Sequence, residues 1–449
     1  MANRSQTDQQ FILAAPLFSV MLRLALPAIL AMVLYGMNAF MDTVYIGQLL
    51  NETALAGVAL AYPLTSIMLA IGSWTGTGAG NYVSILLGKG DQATLGKVIP
   101  NATLFTLVLT GLFALPAYFF AESLLGMMGA RGDILTYGVR YFKITILAAP
   151  LWVYALQLNI IVRSEGKMLT AALIMASGLI LNLILTPLLI IYAKMDVDGA
   201  AWATNAGMLV YCVVGHLYFA SGKASFMPNI HRLRFDREIF RKLAQLGFPG
   251  FIMGIMGLIQ AIVVFNAIVQ VGTDEDLAFF AAANRILLFL MTPLFGLMRA
   301  LQPVEGVNFG AQQYGRVRSA FRLFCRTGLI LVFPFWLGLM LFPSGSIQLV
   351  LPDRPPSSED LLNFRIYMAI IPLLPFVFMG LTHLPAVGQP KFAGIIGVAR
   401  QLVFYVPVML LLPQWLGIRG IYVGATAIDT VVTIWLAIIV YRSFGKMNV

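Results

Sequence analysis

Charged residues are scarce in this chain. Only 11% of its 449 residues are Asp, Glu, Lys or Arg, whereas 59% are hydrophobic, and its mean hydropathy is +0.86. Soluble domains carry about 25% charged residues. A chain this apolar cannot hide its hydrophobic surface from water, so the composition excludes an ordinary soluble protein and indicates a lipid environment. The net charge of +10 is no sign of nucleic-acid binding, because the basic residues lie between apolar runs.

Cysteine and histidine are also rare, with two Cys and three His. Cys212 and Cys325 fall in different apolar runs, which favours two buried thiols over a disulfide. The histidines are far apart in sequence and match no metal-binding spacing. We therefore expect no cofactor, no enzyme and no metal, other than a transient sodium ion at the acid described below.

Long apolar runs are what the chain has in abundance. A membrane-spanning helix needs about 20 mostly apolar residues, and about twelve runs meet that criterion. They lie near 17–48, 54–87, 93–119, 134–162, 168–192, 199–221, 239–271, 277–309, 316–342, 362–386, 391–413 and 420–442. The runs are too long for strands and lack the period-two alternation of a membrane barrel. The sequence therefore predicts an all-α integral membrane protein.

The connections between runs alternate in charge. Basic residues follow or flank the even-numbered runs, whereas the odd-numbered runs are followed by acidic segments such as "GTDEDL" and "PDRPPSSED". The positive-inside rule then places the even connections and both termini in the cytoplasm. With the polar N-terminal tail, which lacks the basic start of a signal peptide, this predicts a multi-pass protein of a bacterial inner membrane.

The chain also repeats itself. An offset of 222 residues superposes four landmarks: Pro27 on Pro249, Gly88 on Gly310, Gly166 on Gly388 and Thr204 on Thr426. We predict a first half at 1–220, a basic cytoplasmic linker at 221–238 and a second half at 239–449. Because each half has six helices, both have the same orientation in the membrane. Repeats of this kind are typical of transporters that alternate around a central site.

One acid stands out in the stretch "YGMNAFMDTVYIGQ". Asp42 follows an uncharged segment from Leu24 to Phe40, and no basic residue lies near it in its own run. Ionisable groups inside a membrane are expensive and mark functional sites. Val264 occupies the matching position of the second half, so the shared fold does not demand the carboxylate. We interpret Asp42 as an ion-coupling residue in preference to a structural salt bridge.

Other polar residues are weaker candidates. Asn182 and Thr204 offer neutral oxygens that could complete a site at Asp42, although such residues more often join helices. Glu305, near the end of run eight, is interpreted as an interfacial carboxylate in preference to a gate, and Asp429 as an acid that could line the cavity. Weak candidates for the substrate cavity are Asn38, Gln157, Asn159, Asn266, Asn284, Gln302 and His383.

Four motifs resemble those of the MATE (multidrug and toxic compound extrusion) transporters. They are "FMDTVYIGQL" in run one, "LNIIVRSEGK" closing run four, "LQPVEGVNFGAQQYGRV" closing run eight and "VGQPK" after run ten. The resemblance extends from about Leu17 to Tyr441. It implies a V-shaped pair of six-helix bundles that exports amphiphilic, often cationic compounds in exchange for protons or sodium ions.

Carried over by position, the resemblance implies an ion-coupling site of Asp42, Asn182 and Thr204. One branch of the family has a second aspartate four residues after the asparagine, where this chain has Thr186. Another branch has an acid in run seven, where this chain has only Gln260. Asp42 is therefore the one clear acid of the first half.

Our functional hypothesis is an antiporter that works by alternating access, without nucleic-acid partners and as a functional monomer. The alternatives are a flippase for a lipid-linked precursor, a membrane enzyme acting on lipids and a channel. A flippase predicts a strongly cationic cavity, and the embedded cations visible in the sequence are few. The sequence leaves open which compounds are exported and whether the coupling ion is a proton or sodium.

Overall fold

The computed structural model describes residues 2–227, 233, 235–352 and 355–447, without the side chains of 2–7 and 274. Part of the predicted linker, residues 228–232 and 234, lies outside the described residues. Within the described chain the regular structure is helical throughout. The α-helices are α1 (Ala2–Ala14), α2 (Leu17–Leu49), α3 (Glu52–Lys89), α4 (Gln92–Phe119), α5 (Ala121–Met127), α6 (Gly132–Leu147), α7 (Ala149–Ser164), α8 (Met168–Pro187), α9 (Asp196–Ala220), α10 (Arg237–Val271), α11 (Asp274–Gly310), α12 (Tyr314–Leu341), α13 (Pro343–Gln348), α14 (Ser358–Met368), α15 (Leu374–Ala386), α16 (Pro390–Val398), α17 (Val406–Leu416) and α18 (Arg419–Lys446).

The membrane-spanning helices follow the apolar runs. In the described part of the chain, eleven helices are long and apolar enough to cross a membrane, and the bent pair α6–α7 makes up to twelve. The bend of 54° falls where Pro150 opens α7, because proline has no N–H to continue the ladder of the preceding helix. The predicted all-α membrane fold with about twelve spans is confirmed.

Three further spans are locally irregular. A π-helical turn, Leu188–Tyr192, continues α8 after Pro187. A 3₁₀ turn, Ile371–Leu373, joins α14 to α15, and a π-helical segment, Ala399–Tyr405, joins α16 to α17. Such irregular backbone is tolerated at membrane depth where it is buried in protein or lines a cavity.

Polar caps explain where several spans begin. Asn51 accepts a hydrogen bond from Ala54 N at the start of α3, and Asp91 accepts one from Thr94 N at the start of α4. Asp236 caps α10, while Thr273 and Ser357 form capping boxes on α11 and α14. These side chains satisfy N–H groups that the first helical turn leaves without partners. These helices therefore begin in the polar connections between the apolar runs.

The two halves, α2–α9 and α10–α18, meet through a few helices. In the first half α3 packs against α4, α6 and α7, and it also contacts α10 and α11 of the second half. Helix α2 packs against α8 and α11. We call the end of the molecule where α3, α7 and α11 finish the basic end, and the opposite end the acidic end.

A glycine pair brings the halves together at the basic end. A Cβ at Gly88 would lie 2.1 Å from the carbonyl oxygen of Val307, and one at Gly310 would lie 2.1 Å from that of Ile85. The 222-residue offset maps Ile85 onto Val307 and Gly88 onto Gly310, so each contact is the counterpart of the other. Helices α3 and α11 therefore cross at a local two-fold axis. Only glycine allows this approach, since any side chain would meet backbone.

Candidate functional site

Asp42 lies on α2 toward the acidic end and is half-buried. Within the described chain it makes no ion pair, unlike Asp429 or Glu305. Asn38 lies one turn earlier on the same face, and its Nδ2 donates to Asn182 Oδ1 at 2.7 Å and to Leu179 O at 3.4 Å. Helix α2 therefore presents a carboxylate and an amide together to α8.

Asn182 connects this pair to α9. Asn182 and Thr204 are 3% and 8% exposed, so their polar atoms depend on one another. When the Asn182 nitrogen is directed at α2, it donates to Asp42 Oδ1 at 3.1 Å, and the Asn182 oxygen accepts from Thr204 Oγ1 at 3.2 Å and Thr204 N at 3.3 Å. The structure thus brings together the three residues predicted as the ion-coupling site.

The amide of Asn182 can present either of its ends to Asp42. In the opposite orientation its oxygen accepts from Asn38, while Nδ2 donates to Thr204 Oγ1 at 3.2 Å and Thr186 Oγ1 at 3.4 Å. An N–H facing Asp42 suits the ionised carboxylate, whereas an oxygen facing it suits the protonated acid or a shared cation. The site has polar partners for both charge states of Asp42, with the Asn38 amide turning its oxygen toward Asn182 when the Asn182 nitrogen faces α2.

Thr186 supplies a hydroxyl where one family branch has an acid. It is 1% exposed, and its Oγ1 donates to the backbone oxygen of Asn182 at 2.9 Å. The predicted loss of one carboxylate from the site therefore leaves a neutral, hydrogen-bonded surface beside Asn182. Asp42 therefore supplies the negative charge in this part of the first half.

Three of the weak cavity candidates are buried side chains. Gln157 is fully buried and accepts from Thr106 Oγ1, and Asn159, 3% exposed, donates to Ala171 O at 2.6 Å. His383 is 0% exposed. These side chains tie helices of one half to each other and do not share a surface with Asp42.

The remaining candidates are scattered. Asn266 is exposed and donates to Ile262 O of its own helix at 2.9 Å. Asn284 Oδ1 accepts from Tyr367 OH at 3.1 Å, within the second half. Gln302 Nε2 donates to Ser84 Oγ at 3.2 Å and so joins α11 to α3. Of these three, Gln302 alone bridges the halves.

Glu305 differs from its sequence interpretation. It is 0% exposed and lies 3.0 Å from His383 Nδ1, so it is a buried, paired acid and no interfacial carboxylate. Asp429 is also paired: its Oδ1 lies 2.7 Å from Arg400 Nε, and Arg400 Nη1 donates to Gln260 Oε1 at 3.1 Å. Both partners come from other helices, which spacing along one run does not show.

One embedded cation was missed from the sequence. Arg163 lies in the last turn of α7 and is only 8% exposed. In the sequence it belongs to the motif "LNIIVRSEGK" that closes run four. Its position one residue before the end of a span is the available signal, since helical side chains tilt toward the N-terminus of their helix and so back into the bundle.

Comparisons with known proteins identify the fold. The model of the MatE family matches residues 27–188 and 251–411, two stretches displaced by nearly the offset that superposes the sequence landmarks. The multidrug export protein MepA of Staphylococcus haemolyticus is 25% identical over 438 residues, covering 96% of this chain and 95% of its own length. MepA of Staphylococcus aureus strain MRSA252 is 24% identical over 441 residues, covering 97% and 96%.

Solved structures share the whole architecture. A MATE crystal structure in the bent conformation has a TM-score of 0.92 at 21% identity and covers 98% of both chains. The straight conformation scores 0.88 with the same identity and coverage. An outward-facing multidrug resistance MATE transporter also scores 0.88 at 21% identity, covering 97% of this chain and 98% of its own. The V-shaped fold of two six-helix bundles is therefore confirmed, and the chain belongs to the MatE family of transporters, which are not enzymes.

Proposed function

We propose that the chain is a secondary antiporter that exports amphiphilic, often cationic compounds in exchange for protons or sodium ions. Family membership and the printed function of the MepA relatives, multidrug export, support the substrate class. The observation that carries the proposal is Asp42, an acid in a membrane span that has no ion-pair partner among the described residues and lies next to the neutral donors and acceptors of Asn182 and Thr204. A carboxylate in these surroundings can exchange a proton or cation without losing a fixed counter-charge.

The surface next to Asp42 fits an apolar cation. Tyr35, Asn38 and Asp42 lie at positions i, i+3 and i+7 of α2 and so share a face, and Tyr35 is 40% exposed. The aromatic ring of Tyr35 can attract a cation. A cationic drug and the coupling ion would then compete for the negative charge of Asp42.

Alternating access supplies the transport cycle in this proposal. The halves touch closely at the basic end through Gly88 and Gly310, so movement of the substrate to the other side requires this contact to open. By the positive-inside rule the basic end and both termini are cytoplasmic, and the staphylococcal relatives support a bacterial cytoplasmic membrane. A monomer is sufficient, because each chain supplies both halves.

The driving force is adequate for drug export. One charge moving through 100 mV contributes about 2.3 kcal/mol, and one pH unit contributes about 1.4 kcal/mol. Together they support a gradient of roughly a few hundred-fold for one-to-one exchange with a neutral compound. The family and the relatives give no support to the lipid-flippase alternative.

Transport of a cationic fluorescent dye into everted vesicles tests the proposal. Wild type, Asp42→Asn and the control Asp133→Asn, an exposed acid in the first turn of α6, are compared under an imposed pH gradient and then a sodium gradient. We expect one gradient to drive dye uptake in wild type and control and not in Asp42→Asn, which also assigns the ion. Equal transport by Asp42→Asn and wild type, at equal levels of inserted protein, would overturn the role of Asp42. Absence of dye movement under both gradients would count against drug antiport.

A further inference from the structure

Two arginines line a small cavity near the basic end. The cavity lies between α2, α7 and α8 of the first half and receives Arg299 from α11 of the second half; Ala28, Asn159, Arg163 and Met175 line its other sides. The space in it that a water-sized sphere can occupy is about 10 Å³, and a cavity needs roughly 10–15 Å³ of such space to hold one water molecule. The cavity is therefore suited to a single monatomic ion and not to a drug molecule.

Arg163 is the more enclosed of the two arginines. It is 8% exposed, and its Nε has no hydrogen-bond partner. Arginine stays charged in proteins, and a buried charge is stable only when it is paired and hydrogen-bonded. This guanidinium therefore presents an unused charged donor to the cavity.

Arg299 adds a second positive charge without adding a negative one. The ion pairs of arginines in the described chain are made by Arg23, Arg140, Arg400 and Arg419, and they include neither Arg163 nor Arg299. Arg163 and Arg299 lie within electrostatic range of each other. Two like charges this close repel each other unless an anion lies between them.

Tyr211 on α9 provides another unused donor. Its side chain is within electrostatic range of both arginines, and its hydroxyl is buried without a hydrogen-bond partner. Buried hydroxyl groups are nearly always hydrogen-bonded. Cationic donors thus converge on the cavity from α7 and α11, and the Tyr211 hydroxyl lies near both arginines without lining the cavity, while acidic side chains are missing from the described cavity lining.

We propose that Arg163 and Arg299 form a binding site for one monatomic anion, such as chloride, which joins the two halves near the basic end. The anion neutralises the pair and accepts hydrogen bonds from donors of both halves. Arginine forks suit such recognition. Because Arg163 and Arg299 belong to different halves, the site is complete only while the basic end is closed. Anion binding therefore stabilises this conformation relative to one in which the halves have separated there.

Thermal unfolding of the purified, detergent-solubilised protein tests the site without using transport. The apparent Tm is followed by tryptophan fluorescence in sodium gluconate, with stepwise replacement by chloride, by phosphate or by acetate at constant ionic strength. For wild type we expect a saturable rise of a few degrees in chloride, about the size that ligand binding gives at concentrations well above Kd. Phosphate and acetate, which are too large for the cavity, should give a smaller rise or none.

Variants on one helix supply the controls. Arg299→Gln should remove at least nine-tenths of the anion-dependent rise, whereas Arg285→Gln, an exposed arginine on the same helix α11, should keep all of it. Arg163→Lys retains the charge but loses the fork, and should raise the half-saturating concentration about tenfold even where Arg163→Gln fails to fold. A Tm that follows ionic strength alone, or an anion response retained in Arg299→Gln, would overturn the proposal whether or not the dye assay succeeds.

Discussion

The first and second halves place different chemistry on one scaffold. The 222-residue offset superposes four pairs of residues: Asn38 and Gln260, Asp42 and Val264, Gly178 and Arg400, and Gly207 and Asp429. The first pair gives both halves an amide side chain, whereas the other three pairs differ in charge. The first half has its acid on α2, whereas the second half has its acid on α18, beside an arginine.

In the first half, glycines draw α8 and α9 together. A Cβ at Gly178 would lie 2.5 Å from the carbonyl oxygen of Gly207, so only hydrogen is tolerated there. Asn182 follows Gly178 by one turn, and Thr204 precedes Gly207 by about one turn. The close helix contact therefore allows the Asn182 and Thr204 side chains to meet at 3.2 Å and to face Asp42.

In the second half, the corresponding positions hold a salt bridge. Arg400 lies in the π-helical segment and contacts Asp429 at 2.7 Å, and Gln260 joins them through Arg400 Nη1 and by donating to Tyr405 OH at 3.1 Å. An acid with a fixed cationic partner gains little by taking up a proton. The same repeat thus holds an ion pair in the second half and, in the first half, a carboxylate without an ion-pair partner in the described chain, which the proposed function makes exchangeable.

The largest expected effect separates the two acids. Asp42→Asn should reduce gradient-driven dye transport to the background of empty vesicles, because the amide cannot change its charge. Asp429→Asn should retain transport per folded molecule, since the proposed exchange does not involve it. Uptake rates normalised to inserted protein measure the difference. Loss of transport in both variants at equal folding would show that the halves share the coupling role.

The salt bridge should dominate stability instead. Asp429→Asn leaves Arg400, with 25% side-chain exposure, without its carboxylate. We expect a loss between about 1 kcal/mol, the value for an exposed pair, and about 3 kcal/mol, the low end for a buried one. The double variant Arg400→Met, Asp429→Leu should recover much of it. Unfolding in mixed detergent micelles measures both, and a double variant less stable than Asp429→Asn would contradict this account.

Much of this arrangement could be predicted from the sequence, and part of it could not. Apolar runs of about 20 residues place the spans, and one unbalanced acid marks Asp42, because the membrane penalises charge strongly. The meeting of Asp42 with Asn182 and Thr204 was expected from family resemblance. Helix rotation within a half is not readable from an all-apolar run. This is why the enclosure of Gln157 and His383 and the partner of Asp429 appear only in the structure.

The glycine contact offers a smaller perturbation of the first half. Gly178→Ala would push α8 away from α9 and separate Asn182 from Thr204. Overpacking should destabilise the fold by about 1–3 kcal/mol, and the higher helix propensity of alanine should offset about 1 kcal/mol of that loss. We expect a net loss of about 1 kcal/mol and a coupling-ion affinity reduced several-fold, read from the ion dependence of dye transport. Gly111→Ala is the control, because its Cβ would meet nothing within 4 Å. If the ion dependence of dye transport is unchanged in Gly178→Ala, the contact between Gly178 and Gly207 is not needed for ion binding at the site.

The smallest expected effect concerns Asn38 and its counterpart Gln260. Asn38→Ala removes the 2.7 Å hydrogen bond to Asn182, but Asn38 is half-buried and water can replace it. The expected change is therefore about 0.5–1 kcal/mol, or roughly two- to fivefold in the apparent affinity for the coupling ion. Gln260→Ala should lower the unfolding temperature and leave ion affinity unchanged, because its partners are Arg400 and Tyr405. Asn266→Ala, which loses only a bond within its own helix, should change neither. A shift in ion affinity for Gln260→Ala as large as for Asn38→Ala would mean that the second half also responds to the coupling ion.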